Sequence, residues 1–139
     1  MKQLKIGFDY DDVILFWLCI IRKETIEILN QLRSQGHEIL VVTARGNVGA
    51  LWHANKMAEL YRLNWLEIVG VGPNGDKYKK LKRFDFYFDN KIEQLGAIAK
   101  NLTGEDRVRN LFLFGEKPKG GFENVANWQQ IYSKIEKEQ

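Results

Sequence analysis

Five short runs of nearly unbroken apolar residues set the strongest limit on how this chain folds: Leu4–Phe8, Glu38–Val42, Glu67–Val71, Asp85–Phe88 and Arg109–Phe114. A strand that is apolar at successive positions must be covered on both faces, which is the environment of a mostly parallel sheet between helical layers. The segments between the runs carry helical spacing. Ile26, Leu29 and Leu32, with Ile28 beside them, fit a helix over Arg22–Gln35 that ends at Gly36. Leu51, Ala54, Ala58 and Tyr61 fit a second over Ala50–Arg62. Asp76–Lys82 reads as a short basic helix, Lys91–Lys100 as a third full helix, and Trp128–Lys137 as the last. The expectation is α/β: a three-layer, open, mostly parallel, Rossmann-like sheet with right-handed crossovers, in a single domain over residues 1–139. Val13–Ile21 is apolar without a clear period and fits a strand, a buried helical turn or a flap.

In a sheet of this kind, ligands bind beyond the carboxyl ends of the strands. The residue types there are unusual. The first run enters Asp9-Tyr10-Asp11-Asp12, three carboxylates within four residues. Such a cluster repels itself unless a cation sits nearby, commonly a divalent metal. The second run ends in Thr43, followed by Ala44 and Arg45; the third is followed by Gly72-Pro73-Asn74-Gly75 and then Lys77; the fourth ends in Asp89-Asn90. Carboxylates, a hydroxyl and an ammonium at four successive strand ends converge by virtue of the topology. Singly, Thr43 reads as a turn-capping hydroxyl and Lys77 as a solvated lysine.

Composition narrows the partners. The chain has 21 basic and 18 acidic residues in 139, a net charge of +3. That surplus is too small to demand nucleic acid and does not exclude it, and it suits an anionic substrate. Cys19 is the only cysteine and reads as a buried, inert thiol; with His37 and His53 far apart, no zinc pattern forms. The amino-terminal residues do not form a signal peptide, and Val13–Ile21 is too short to span a bilayer, so the expectation is a soluble, cytoplasmic protein without membrane contact.

On these residues the chain resembles the haloacid-dehalogenase superfamily of phosphatases. The likeness lies in Asp9-Tyr10-Asp11-Asp12-Val13 after an apolar strand, Ile39–Val42 ending in Thr43, Lys77 near a helix start, and Phe86-Tyr87-Phe88 ending in Asp89. The resemblance implies a magnesium-dependent phosphatase in which Asp9 attacks phosphorus and forms an aspartyl-phosphate. It implies that Asp11 protonates the leaving group, with a raised pKa, and later activates water. It places magnesium on the Asp9 carboxylate, the Asp11 main-chain carbonyl and the Asp89 carboxylate. Thr43, Ala44, Arg45 and Lys77 form the phosphate-binding set, with Lys79 and Lys80 competing for the lysine role. Catalysis thus falls to Asp9, Asp11, Thr43 and Lys77. The sequence departs from the family pattern at Asp12, where Gly is frequent, and at Asn90, where a second acid is frequent. Asp85 is left out: it begins the strand that Asp89 ends, about 13 Å away at roughly 3.3 Å per residue.

The gaps between motifs are too short for a cap domain. An open site by resemblance suits a large substrate or a homo-oligomer that closes the entrance. The Asp89-Asn90 motif and the Asn127-Trp128 helix lean towards nucleotidase-type and polynucleotide-phosphatase-type branches, so the substrate is a phosphorylated small molecule, with nucleotides among the candidates. Trp17 and Trp52 could stack on a substrate base but read more readily as packing residues, and Lys117 and Lys119 could attract an anion but read more readily as a solvated loop. Two rival readings stay open. A receiver-type phosphoacceptor domain shares the residue types but carries its acceptor Asp after the third strand, where Val71-Gly72-Pro73 stands. A catalytically silent binding module of the same fold is the other.

Overall fold

The apolar runs pair with one another because each must lose water on both faces. The computed structural model describes residues 2–139. In chain order its elements are β1 (Lys5–Phe8), a hairpin of β2 (Leu15–Phe16) and β3 (Ile20–Ile21), α1 (Lys23–Ser34), β4 (Glu38–Thr43), α2 (Val48–Leu60), β5 (Glu67–Gly70), β6 (Phe86–Asp89), α3 (Ile92–Asn101), β7 (Asn110–Phe114), β8 (Glu123–Val125) and α4 (Trp128–Glu136). Six strands form one sheet in the order β5-β4-β1-β6-β7-β8. Every neighbouring pair in it is parallel. This is an α/β architecture of the Rossmann-like, three-layer kind.

The layers follow from strand alternation. Phe8, Phe86 and Phe88 face one side and pack with Leu29 and Leu32 of α1, Ala54 and Ala58 of α2, and Trp128 and Ile131 of α4. Phe8 stacks on Phe88 at 5.4 Å between centroids, and Phe88 on Phe112 at 5.5 Å. Val42, Tyr87 and Leu113 face the other side, with Leu95 and Ile98 of α3 and with Leu81 and Phe84. Gly7 is needed on that side: a Cβ there would lie 2.8 Å from Leu81 and 2.9 Å from Tyr87. The missing side chain of β1 is what lets the Tyr87 ring lie flat beneath it.

The chain runs outward from β1 through β4 to β5, then returns to β6 on the other side of β1. The winding therefore reverses at β1, and the loops after β1, β4 and β6 open a crevice at that point. Two side-chain caps fix the helices near it: Asn47 accepts from the Ala50 N–H at the start of α2, and Asn127 from the Gln130 N–H at the start of α4. Trp128 donates its indole N–H to the Val13 carbonyl at 2.8 Å, pinning the turn after β1.

Several sequence expectations change. Of Val13–Ile21, residues 15–21 form the β2–β3 hairpin after a turn, so the segment holds two short strands and not a buried helical turn. The basic helix shrinks to one 3₁₀ turn, Lys77–Lys80, because the strand of Phe86 follows too closely for more. A sixth strand, β8, was not anticipated: Glu123-Asn124-Val125 is too short and polar to announce itself, and pairing with β7 alone makes it a strand. Gly36 does end α1, at φ +87°. His37 lies just before β4, buried, and its Nδ1 accepts the Leu4 N–H at 3.1 Å. Burial holds the His37 pKa below the usual histidine value.

Candidate active site

Asp9 is the first residue beyond β1, and its N–H still bonds to the Phe88 carbonyl of β6 at 2.9 Å. That last ladder bond sets the carboxylate next to Asp89, the final residue of β6. Both are buried, at 6% and 0% exposure. Two carboxylates so placed need a cation, and Lys77, 3% exposed, supplies it. Its ammonium donates to Asp9 Oδ1 at 2.8 Å, to Asp89 Oδ2 at 3.0 Å and to the Tyr87 hydroxyl at 3.2 Å. Tyr87 donates its own proton to Asp89 Oδ2 at 2.7 Å. The other Asp89 oxygen accepts the Lys91 N–H at 3.0 Å. Of the three lysines, Lys77 is the one that meets Asp9 and Asp89, while Lys79 pairs with Asp76 at 3.2 Å on the surface and Lys80 is exposed.

The electrostatics follow from two carboxylates sharing one ammonium. Burial, and next the negative charge of Asp89, push the Asp9 carboxyl up to about 7, against the opposing pull of Lys77. Burial works to lower the Lys77 ammonium, yet Asp89 and Asp9 outweigh it and hold it above the ordinary lysine value. Burial and the two carboxylates drive the Tyr87 hydroxyl well above its usual range, so it stays a proton donor.

The neighbouring loops close a small cleft of about 70 Å³, lined by Asp9, Asp11, Asp12, Thr43, Ala44, Lys77, Lys91 and Gln94. Thr43, at the end of β4, is 1% exposed. Its oxygen accepts the Arg45 N–H at 3.2 Å, which leaves the hydroxyl proton free to donate. Thr43 thus caps the turn and also lines the cleft. Asp12, exposed, takes φ +64° and lets the chain turn back so that its N–H meets the Leu15 carbonyl at 2.8 Å.

Arg45 has a different neighbour from the one its residue type suggested. Its guanidinium grips both oxygens of Asp11, at 3.0 and 2.7 Å, and also donates to the Ala50 carbonyl at 3.1 Å. His53, on α2, meets the same guanidinium at 2.9 Å. The hydrogen bonds that Arg45 donates to Asp11 hold its pKa above the ordinary arginine value. Arg45 is thus turned towards Asp11 and does not line the small cleft. Asp85 lies at the opposite rim, where it accepts the Lys5 N–H at 2.8 Å. Cys19 is exposed, not buried. Trp17 and Trp52 are 76% and 61% exposed, so neither packs. They sit on a hairpin tip and an outward helix face.

Asp9 and Asp89 offer hard oxygen donors of the kind a hard divalent cation takes, in the number such an ion needs when it keeps several waters. Asp11 can add only its main-chain carbonyl while Arg45 holds its side chain. Among the described residues no set of three or more Asp, Glu, His or Cys side chains forms an all-protein cage. Asn90, next to Asp89, keeps its side-chain oxygen buried without a hydrogen-bond donor, an acceptor left for a bound water. The sequence did not single out Tyr87, Lys91 or Gln94. Tyr87 was legible in principle, because residues two apart on a strand share a face and Asp89 is two further on.

No helix among the described residues is long and apolar enough to cross a membrane. No family model matches the chain, and no curated protein or solved structure matches it.

Proposed function

We propose that this chain is a magnesium-dependent phosphatase of the haloacid-dehalogenase type, hydrolysing phosphate monoesters through an aspartyl-phosphate on Asp9. The observation that carries the proposal is the meeting of Asp9, Lys77 and Asp89, from three separate elements, at 2.8 and 3.0 Å beside a cleft that Thr43 also lines. A structural ion pair has no need of a second carboxylate, a spare hydroxyl and an opening.

In this reading a carboxylate oxygen of Asp9 bonds to phosphorus as the ester P–O bond breaks. Thr43 and the main-chain N–H groups beyond it hold the phosphoryl oxygens, and Lys77 offsets charge on both reactants. The leaving oxygen takes a proton from Asp11. Water then attacks the phosphorus, gives its proton to Asp11, and frees Asp9 and inorganic phosphate. In this reading Asp11 leaves Arg45 and takes a proton from solvent before it meets the leaving oxygen, and it gives the proton it later gains from water back to solvent when it returns to Arg45 as the carboxylate, so Arg45 acts as its holder between turnovers. Magnesium, held by Asp9, Asp89 and the Asp11 carbonyl, would supply the positive charge that lets one anion approach another.

The test is release of phosphate from p-nitrophenyl phosphate with and without magnesium. Wild type is active only with the metal, and Asp9→Asn is inactive with an unchanged circular dichroism spectrum. Turnover by Asp9→Asn overturns the reading. A stable phospho-protein that never turns over points instead to a phosphoacceptor domain.

A further inference from the structure

Beside the phosphate site lies a much larger cleft of about 530 Å³, between the segment after β6 and the loop after β7. Lys91 lines both it and the small cleft, so a group seated in one abuts the other. Leu113 and Phe114 give the large cleft an apolar surface, and Lys91, Lys117 and Lys119 bring three ammonium groups to it. Among the described residues none of these lysines is paired with a carboxylate. Asn90 lines the same cleft.

We infer that this cleft receives the alcohol part of the substrate, and that this part carries one further anionic group in addition to the phosphate that is cleaved. The inference rests on the phosphatase reading and names its substrate class: a small phosphate monoester with a second phosphoryl or carboxylate group on a sugar- or nucleoside-sized body. Volume supports the size, since sites for small molecules span about 300–1,000 Å³. Charge supports the count. Glu93 and Glu116 share the lining, so three lysines exceed two glutamates by one. A surplus of one matches one extra anion. It does not match a nucleic-acid strand, which presents a charge at each nucleotide and is held by many cations.

The experiment compares kcat/KM within matched pairs: adenosine 5′-monophosphate against adenosine 3′,5′-bisphosphate, and glycerol 3-phosphate against 3-phosphoglycerate. The second member of at least one pair is favoured, by about three- to tenfold for one or two partly exposed ion pairs. Which pair responds separates a phosphoryl from a carboxylate partner. The double variant Lys117→Ala/Lys119→Ala brings the favoured ratio close to one, mainly through KM. Equal rates within both pairs, or a ratio untouched by the double variant, overturn the inference. So does a 5′-phosphorylated oligonucleotide that outruns every small substrate. Amide shifts in Asp9→Asn protein titrated with the bisphosphate give a readout without turnover. Movement at Lys91 and Gly115–Lys119 supports the cleft even if wild type hydrolyses nothing, a result that would sink the phosphatase reading alone. Hydrolysis of the monoesters with no such movement sinks the cleft alone.

Discussion

At the ends of β1 and β6, charge is buried; six residues beyond Asp11, at the tip of the β2–β3 hairpin, apolar side chains lie in water. Each place breaks a rule of local structure, and each is held differently. Asp9, Lys77 and Asp89 are almost wholly enclosed, and their polar atoms find one another and Tyr87. At the tip, Trp17 and Leu18 are 76% and 65% exposed, with φ of +52° and +64°. The Cys19 N–H closes that turn on the Phe16 carbonyl at 3.2 Å. Two consecutive left-handed residues match the twist of a tight hairpin, yet Asn-Gly is the usual choice and bulky side chains are disfavoured. The hairpin is held at both ends: Asp12 bonds to Leu15 at its base, Arg22 covers the Phe16 ring at 4.5 Å, and at the turn the Tyr61 hydroxyl donates to the Cys19 carbonyl at 2.8 Å. The comparison teaches that strain in this molecule is stored where neighbours over-determine the conformation, and that the buried case needs every charged partner brought from distant parts of the chain, whereas the hairpin takes one distant hydrogen bond beside its local ones.

The sharpest way to break the comparison is Lys77→Met, which leaves two enclosed carboxylates without their cation. The expected loss is about 3–5 kcal/mol, read as a fall in the urea midpoint. Lys79→Met, at the exposed Asp76 pair, should move it by less than about 1 kcal/mol. Equal effects would show that enclosure is not what gives Lys77 its weight.

Next comes the pH dependence of Asp9, measured with metal removed. The folded protein keeps the Asp9 proton up to about pH 7, whereas the unfolded chain releases it near 3.8. The folded state therefore binds more protons between those values, and this contribution, complete below the lower one, is lost as pH rises to the higher. Asp9→Asn removes the slope, so its stability relative to wild type should climb from pH 4 to pH 7. Parallel pH profiles would contradict the assignment.

Tyr87→Phe tests the same knot more gently. It keeps the ring over Gly7 and removes the donor to Asp89, at a cost of about 1–3 kcal/mol. The smallest effect has the opposite sign. Replacing Trp17-Leu18 with Asn-Gly relieves the left-handed positions and should stabilise by about 1 kcal/mol, seen as a higher melting temperature. A fall would mean that the exposed tip makes contacts the fold depends on.

Much of the site was legible before any coordinates. Asp9, Thr43 and Asp89 end apolar runs, and the carboxyl edge of a parallel sheet gathers whatever ends its strands. Lys77 was legible from the glycine-rich loop before it, though only burial separates it from Lys79 and Lys80. The Arg45–Asp11 grip was not legible, because a guanidinium near a phosphate site has two kinds of anion to choose from. Trp17, Trp52 and Cys19 were misplaced for a common reason. An apolar residue in an apolar stretch reads as core, while a tight turn and an outward helix face put it in water. β8 escaped notice because three residues carry too little period to reveal a strand.

The sequence alone determined the approximate places of five strands and four helices and which polar groups stand at the strand ends, since both depend on spacing along a few neighbouring residues. Only the tertiary structure decided the strand order, the seat of one lysine between two carboxylates, and the choice of Asp11 as the partner of Arg45. Those outcomes depend on contacts between residues 12 to 68 positions apart. Such contacts are settled by which surfaces can lose water together, a condition no local stretch of chain can meet by itself.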